Sequence, residues 1–124
     1  MPIASSISYL VIDCADPQRL ATFWTAALGA EIASVWNQYV ILKPAAEGQP
    51  GLAFQQVPEP KAGKNWVHLD FIVDDLEAVT SLVVELGGTQ VAENHQGGVT
   101  ARVMADPEGK EFCLVHLGSS APGA

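Results

Sequence analysis

Basic residues are scarce in this chain. Six lysines and arginines stand against fourteen aspartates and glutamates, a formal net charge of −8. Nucleic acid and anionic membrane both need a cationic footprint, so the balance argues against either as the main partner. Cysteine is scarcer still, with only Cys14 and Cys113 in 124 residues. That is too few for a disulfide framework, and both read as reduced thiols in a cytoplasmic chain. No apolar run approaches the roughly 20 residues of a membrane-spanning helix. Met1-Pro2-Ile3-Ala4 lacks a basic region leading into an apolar one, so no secretory signal is expected.

What the chain does have is a repeated unit. His68-Leu69-Asp70-Phe71-Ile72-Val73-Asp74-Asp75 alternates as a strand does, with Leu69, Phe71 and Val73 on one face and His68, Asp70 and Ile72 on the other. Asp75 stands where a helix N-cap belongs, Leu76, Val79, Leu82, Val83 and Leu86 follow at helical spacing, and Gly87-Gly88 ends the run. Residues 9–16 match this unit position by position and also end on an aspartate, Asp16. Pro17 then opens a helix bearing Leu20, Phe23, Trp24, Ala27 and Leu28 before Gly29. Two copies of one motif are the main organisational fact.

The rest repeats the same order. Residues 31–35 and 39–42 predict a hairpin around Trp36-Asn37-Gln38, and residues 51–57 a further strand. Residues 58–65, with their lysines, prolines and glycine, read as a linker. In the second copy, residues 89–93, 99–105 and 110–117 predict strands. Residues 94–98 form a turn, and Asp106-Pro107-Glu108-Gly109 carries the residue types of a tight turn. The expected organisation is one domain over residues 1–124: module one at 5–57, the linker at 58–65, module two at 66–117 and a frayed tail at 118–124. Each module is βαβββ, an α+β arrangement with helices over one side of mixed sheets.

The duplicated βαβββ unit, the aspartate-led helices ending in Leu-Gly, and the closing Asp106-Pro107-Glu108-Gly109-Lys110-Glu111-Phe112-Cys113-Leu114 resemble the vicinal oxygen chelate superfamily. That group includes glyoxalase I, bleomycin-resistance proteins and extradiol dioxygenases. Residues 55–61 running into 64–70 are similar to its small glyoxalase-like domain proteins. The resemblance implies curled sheets whose concave faces enclose a cavity, with the modules pairing within one chain or across a homodimer. It also implies a divalent metal in metal-dependent members, held from the first and last strands of each module. Here those positions match Tyr9, His68, Cys113 and Ala53, with Gln55 as a substitute for Ala53. Alanine cannot coordinate and tyrosine is an uncommon ligand, so the four-donor set is broken and no metal is expected. The alternative keeps a divalent ion through His68 with non-standard donors.

Strand parity then gives the cavity wall. Tyr9, Val11 and Asp13 line it from the first strand, and Trp66, His68, Asp70 and Ile72 from its repeat. Ala53, Gln55, Cys113 and Val115 come from the closing strands, and Thr100, Arg102 and Met104 from residues 99–105, whose Val99, Ala101 and Val103 are assigned to the helix side. Trp36 is expected at the rim. The candidate ligand-binding set is Tyr9, Asp13, Trp36, Gln55, Trp66, His68, Asp70, Arg102 and Cys113, with His68 and Asp70 as candidate acid–base groups. Two classes of function follow. One is a small-molecule-binding protein of the resistance or sequestration type. The other is an enzyme, either a metal-dependent lyase, isomerase or dioxygenase or a metal-free acid–base catalyst using His68 and Asp70.

Overall fold

The computed structural model describes residues 2, 7–60, 63 and 67–118. Trp66, most of the second half of the linker and the tail beyond Gly118 lie outside the described residues. The chain divides into two compact units, Met1–Pro60 and Lys61–Ala124.

In the first unit, strand β1 (Tyr9–Cys14) leads into helix α1 (Pro17–Leu28), followed by β2 (Ile32–Trp36), β3 (Tyr39–Leu42) and β4 (Gly51–Gln56). The helix begins where the chain chemistry says it should. The Asp16 carboxylate accepts from the Arg19 backbone N–H at 3.2 Å, and Pro17 occupies a position whose N–H would have no partner in the helix. It stops at Gly29, whose φ of 64° lies in the left-handed region and whose N–H donates to the Thr25 carbonyl. The sheet order is β1-β4-β3-β2, with β1 and β4 parallel and the other pairs antiparallel. α1 lies against β3 and β4. Leu20, Phe23 and Trp24 from the helix and Cys14, Val40, Leu42 and Phe54 from the strands form the core. Each large side chain there contributes roughly 1.5–3 kcal/mol by leaving water.

The second unit repeats this plan: β5 (Leu69–Ile72), α2 (Leu76–Glu85), β6 (Thr89–Gln96), β7 (Val99–Ala105) and β8 (Glu111–His116), in sheet order β5-β8-β7-β6. Asp75 caps α2 by accepting from the Ala78 N–H at 3.0 Å. Phe71 and Phe112 meet edge to face at 6.0 Å beside the buried Met104 and Leu114. The registers match as well. Val11 sits opposite Ala53 across β1–β4, and Asp70, its repeat counterpart, sits opposite Cys113 across β5–β8.

Several local expectations change. Trp36 belongs to β2 and pairs with Tyr39, so the hairpin loop is Asn37-Gln38 alone. Asn37 has φ 52°, the left-handed conformation that a two-residue hairpin loop demands and that asparagine tolerates. β6 runs on through Asn94, His95 and Gln96, leaving Gly97-Gly98 as the turn. On α2, Val83 is buried as its place in the apolar series predicts, but Leu82 is 41% exposed and Thr80 is buried beside Val83 on the helix's inner face.

The largest correction concerns β7. Arg102 lies opposite Leu114, and Met104 opposite Phe112, both core residues. Thr100, Arg102 and Met104 therefore point to the helix side, and Val99, Ala101 and Val103 to the other face. Apolar parity misleads here because β7 carries small apolar residues on its open face. Its one arginine is carried on the helix side by acidic partners.

Gly88 joins α2 to β6 at a point with no room for a side chain. A Cβ there would lie 2.6 Å from Val83 Cγ1 and 2.8 Å from the Ala105 carbonyl oxygen. Gly88→Ala should lower unfolding stability by about 1–3 kcal/mol, read as a reduced urea midpoint. An unchanged midpoint would refute the close approach.

Candidate functional site

The open face of the first sheet carries an aromatic cleft. Val11, Ala53 and Ile41 lie side by side across β1, β4 and β3, and Tyr39 and Trp36 continue the surface onto the hairpin. Together with Tyr9 these six residues line a cleft of about 150 Å³. Trp36 and Tyr39 stack at 5.7 Å with their planes 21° apart. Trp36 is nonetheless 61% exposed, so the stacked rings remain open to a further flat partner. The small Ala53 is what leaves the space. Two other expected residues of this face, Asp13 and Gln55, pair across β1–β4 next to Tyr39. They are outside the cleft lining.

The open face of the second sheet carries a different cluster. His68 and Asp70 stand two residues apart at the start of β5, and Cys113 reaches Asp70 from the parallel neighbour β8. His68 Nδ1 and Asp70 Oδ1 are 3.1 Å apart, and the thiol, a ring nitrogen and a carboxylate oxygen all lie within 4.8 Å of one another. His68 and Asp70 are about half-exposed and Cys113 is partly buried. Of the candidate residues in the second unit, these three are brought together. Trp66 lies outside the described residues.

Arg102 is not part of that cluster. It is 9% exposed and serves as the polar anchor of α2. Its Nε donates to Glu93 Oε1 at 2.6 Å, Nη1 to Thr80 Oγ1 at 2.9 Å and Nη2 to Glu77 Oε1 at 3.0 Å. Thr80 in turn donates to the Leu76 carbonyl, and His95 bonds the second Glu93 oxygen at 2.8 Å. The hydrogen bonds that Arg102 donates to Glu77 and Glu93 raise its pKa, against the opposing effect of burial. The Arg102 hydrogen bond in turn lowers that of Glu93, with help from Arg102's charge and from His95. Charge matching of this kind lets a guanidinium sit in a core.

Two βαβββ units with helices on one sheet face and open clusters on the other define a protein of the glyoxalase and bleomycin-resistance type, within the vicinal oxygen chelate superfamily. The chain belongs to the glyoxalase-like domain family, whose sequence model matches residues 9–115. Solved structures of similar fold include a glyoxalase/bleomycin resistance protein/dioxygenase family enzyme from Burkholderia phytofirmans PsJN. It is 18% identical with a TM-score of 0.75, over 91% of this chain and 99% of that one. A glyoxalase/bleomycin resistance protein/dioxygenase from Nocardioides is 13% identical, with a TM-score of 0.74 over 100% of this chain and 91% of that one. A glyoxalase/bleomycin resistance protein from Albidiferax ferrireducens T118 is 16% identical, with a TM-score of 0.66 over 89% and 97%. At these identities the likeness is one of fold. A search of functionally curated proteins finds no match.

The superfamily's divalent metal can be tested against the donors present. At the matching positions the first unit offers the Tyr9 phenol and the methyl group of Ala53, which lines the cleft floor. The second unit offers an imidazole, a carboxylate and a thiol, with the imidazole and carboxylate already hydrogen-bonded to each other. This mixed trio is not the family's four-donor set of nitrogen and carboxylate oxygen, and it does not fit that centre.

Sequence reasoning missed Tyr39 and Ile41 in the cleft and Glu77 and Glu93 around Arg102. Tyr39 had a signal: a two-residue loop at Asn37-Gln38 forces it opposite Trp36. Glu93 pairs with Arg102 across β6–β7, but that register depends on an irregularity between Gln90 and Ala92 that residue types alone do not mark.

The lowered Glu93 pKa has a definite sign. Its stabilising effect is present above the ordinary glutamate value and is lost as pH falls through the lowered folded value. Glu93→Gln should therefore unfold at lower urea than the parent at pH 7, and the gap between the two midpoints should close as pH falls below the ordinary glutamate range. A gap that persists unchanged in acid would refute the charge pairing.

Proposed function

We propose that this chain is a small-molecule-binding glyoxalase-like protein of the sequestration type, working without the family's metal centre. The observation that carries the reading is the cleft of the first sheet. Where a metal-dependent member places a donor, this chain has Ala53, and the space beside it is walled by Tyr9, Trp36 and Tyr39. A pocket of aromatic and aliphatic walls suits a flat, apolar ligand that stacks. The acidic charge of the chain favours a neutral or cationic ligand over an anion.

A cytoplasmic homodimer is part of the proposal. Val11 and Ile72 are more than half-exposed on open sheet faces, and apolar groups there gain from being covered. No helix among the described residues is long and apolar enough to cross a membrane. Sedimentation equilibrium at micromolar concentration should return twice the chain mass, and a monomer would remove this part of the reading.

An acid–base enzyme is the second reading, favoured by the 3.1 Å contact between His68 and Asp70. Thermal shift against a panel of planar aromatic compounds separates the two. Trp36→Ala should weaken the best binder about tenfold, the equivalent of roughly 1.4 kcal/mol of lost stacking and contact. His68→Ala should leave that affinity unchanged. Equal binding by the Trp36→Ala and Tyr39→Ala variants and the parent would discard the cleft as the ligand site. Stoichiometric divalent metal in the purified protein, lost in His68→Ala, would overturn the metal-free part.

A further inference from the structure

The cluster on the second sheet holds the three groups that thiol nucleophiles use, all within the second unit. Parallel pairing of β5 with β8 sets Cys113 directly beside Asp70, and alternation along the first of these strands sets His68 on the same face. Asp70 bonds one nitrogen of His68 at 3.1 Å, which fixes the ring, and the Cys113 sulfur lies within 4.8 Å of a ring nitrogen. A thiol, a base whose ring nitrogen lies within 4.8 Å of it, and a carboxylate bonded to that base are the groups from which an activated nucleophile is built.

The surroundings define which electrophile fits. Val103 lies opposite Cys113 across β7–β8, Val115 and Ile72 form the next row on the same face, and Ala101 adjoins them. Arg102 is turned to the helix side, so no guanidinium from β7 faces the thiol to receive a phosphate or carboxylate. Asp70 repels anions directly. The face therefore suits a neutral, soft carbon electrophile with an apolar body.

We propose that Cys113 captures α,β-unsaturated carbonyl compounds covalently, with His68 as proton carrier and Asp70 as a positioning residue. The Cys113 sulfur bonds to the β-carbon as His68 accepts the thiol proton. The alkene π pair moves toward the carbonyl to give an enolate, and the imidazolium returns the proton to the α-carbon. The product is a thioether, with no leaving group and no oxidant or reductant. Cys14 has no share in this chemistry. It is 2% exposed in the core, and its sulfur donates to the Gln55 carbonyl.

N-ethylmaleimide, a neutral acceptor of this class, tests the proposal on the full chain. Mass spectrometry of the native protein should show one adduct, mapped to Cys113, forming about tenfold or more faster than on a cysteine in a short unstructured peptide. His68→Ala should remove that advantage. Asp70→Ala should slow labelling several-fold, and Asp70→Asn, which keeps an oxygen acceptor, should recover at least half of the lost rate. Cys113→Ser should take up no label. Circular dichroism of each variant confirms that it is folded. Labelling of Cys113 at the peptide rate, or an unchanged rate in folded His68→Ala, would overturn the proposal.

Discussion

In each module the chain leaves along one strand, crosses behind it through a helix and a hairpin, and returns parallel to its own beginning. That parallel closure, β1 with β4 and β5 with β8, is the constraint on which both candidate sites depend. It brings residues about forty positions apart into neighbouring rows, and strand alternation then sorts them onto two faces. One face is held by the helix. Leu20, Phe23 and Trp24 commit the first sheet, and Val83 with the Arg102 anchor commits the second. The other face is left open and carries the two side-chain clusters.

Arg102 shows how firmly the faces are assigned. An arginine at the centre of a sheet is ordinarily taken as a sign of an open surface, because burying an unpaired guanidinium is costly. Here Thr80 and Glu77 from α2 and Glu93 from β6 receive its hydrogen bonds, and the buried charge becomes a clamp between helix and sheet. Among the described residues the first unit shows no such clamp: the buried Val40 stands at the place corresponding to Arg102, and Phe23 and Trp24 pack edge to face in the core. The two modules thus reach the same architecture by different balances of apolar burial and paired charge.

Much of this could be read from residue types. The repeat was visible because its signals are local: aspartate caps, Pro17 at a helix start, glycine stops and period-2 strands all act within a few residues. The pairing of His68 with Asp70 was visible for the same reason. What could not be read depended on partners distant in sequence. The facing of β7 was hidden because its apolar set, Val99, Ala101 and Val103, lies on the open face, while Arg102 is carried on the helix side by partners distant in sequence. The length of β6 was hidden because an edge strand need not be hydrophobic, and all eight of its residues are exposed. Trp36 was expected at a rim, but its stacking on Tyr39 was hidden by a one-residue error in loop length, which moved the tryptophan from a turn onto a strand opposite Tyr39.

Duplication and divergence act differently on the two faces. Packing against a helix constrains both copies alike, and so Leu10 and Leu69, or Ile12 and Phe71, remain apolar counterparts. The open faces carry no such demand. Tyr9 stands where the repeat has His68, Val11 where it has Asp70, and Ala53 where it has Cys113. These three exchanges turn a row of imidazole, carboxylate and thiol into a row of phenol, isopropyl and methyl groups. In one module the row can hold a flat apolar body. In the other the same backbone positions present a thiol beside an imidazole and a carboxylate. Because the register is shared, the contrast lies in the side chains alone, and one scaffold offers stacking in one half and polar chemistry in the other.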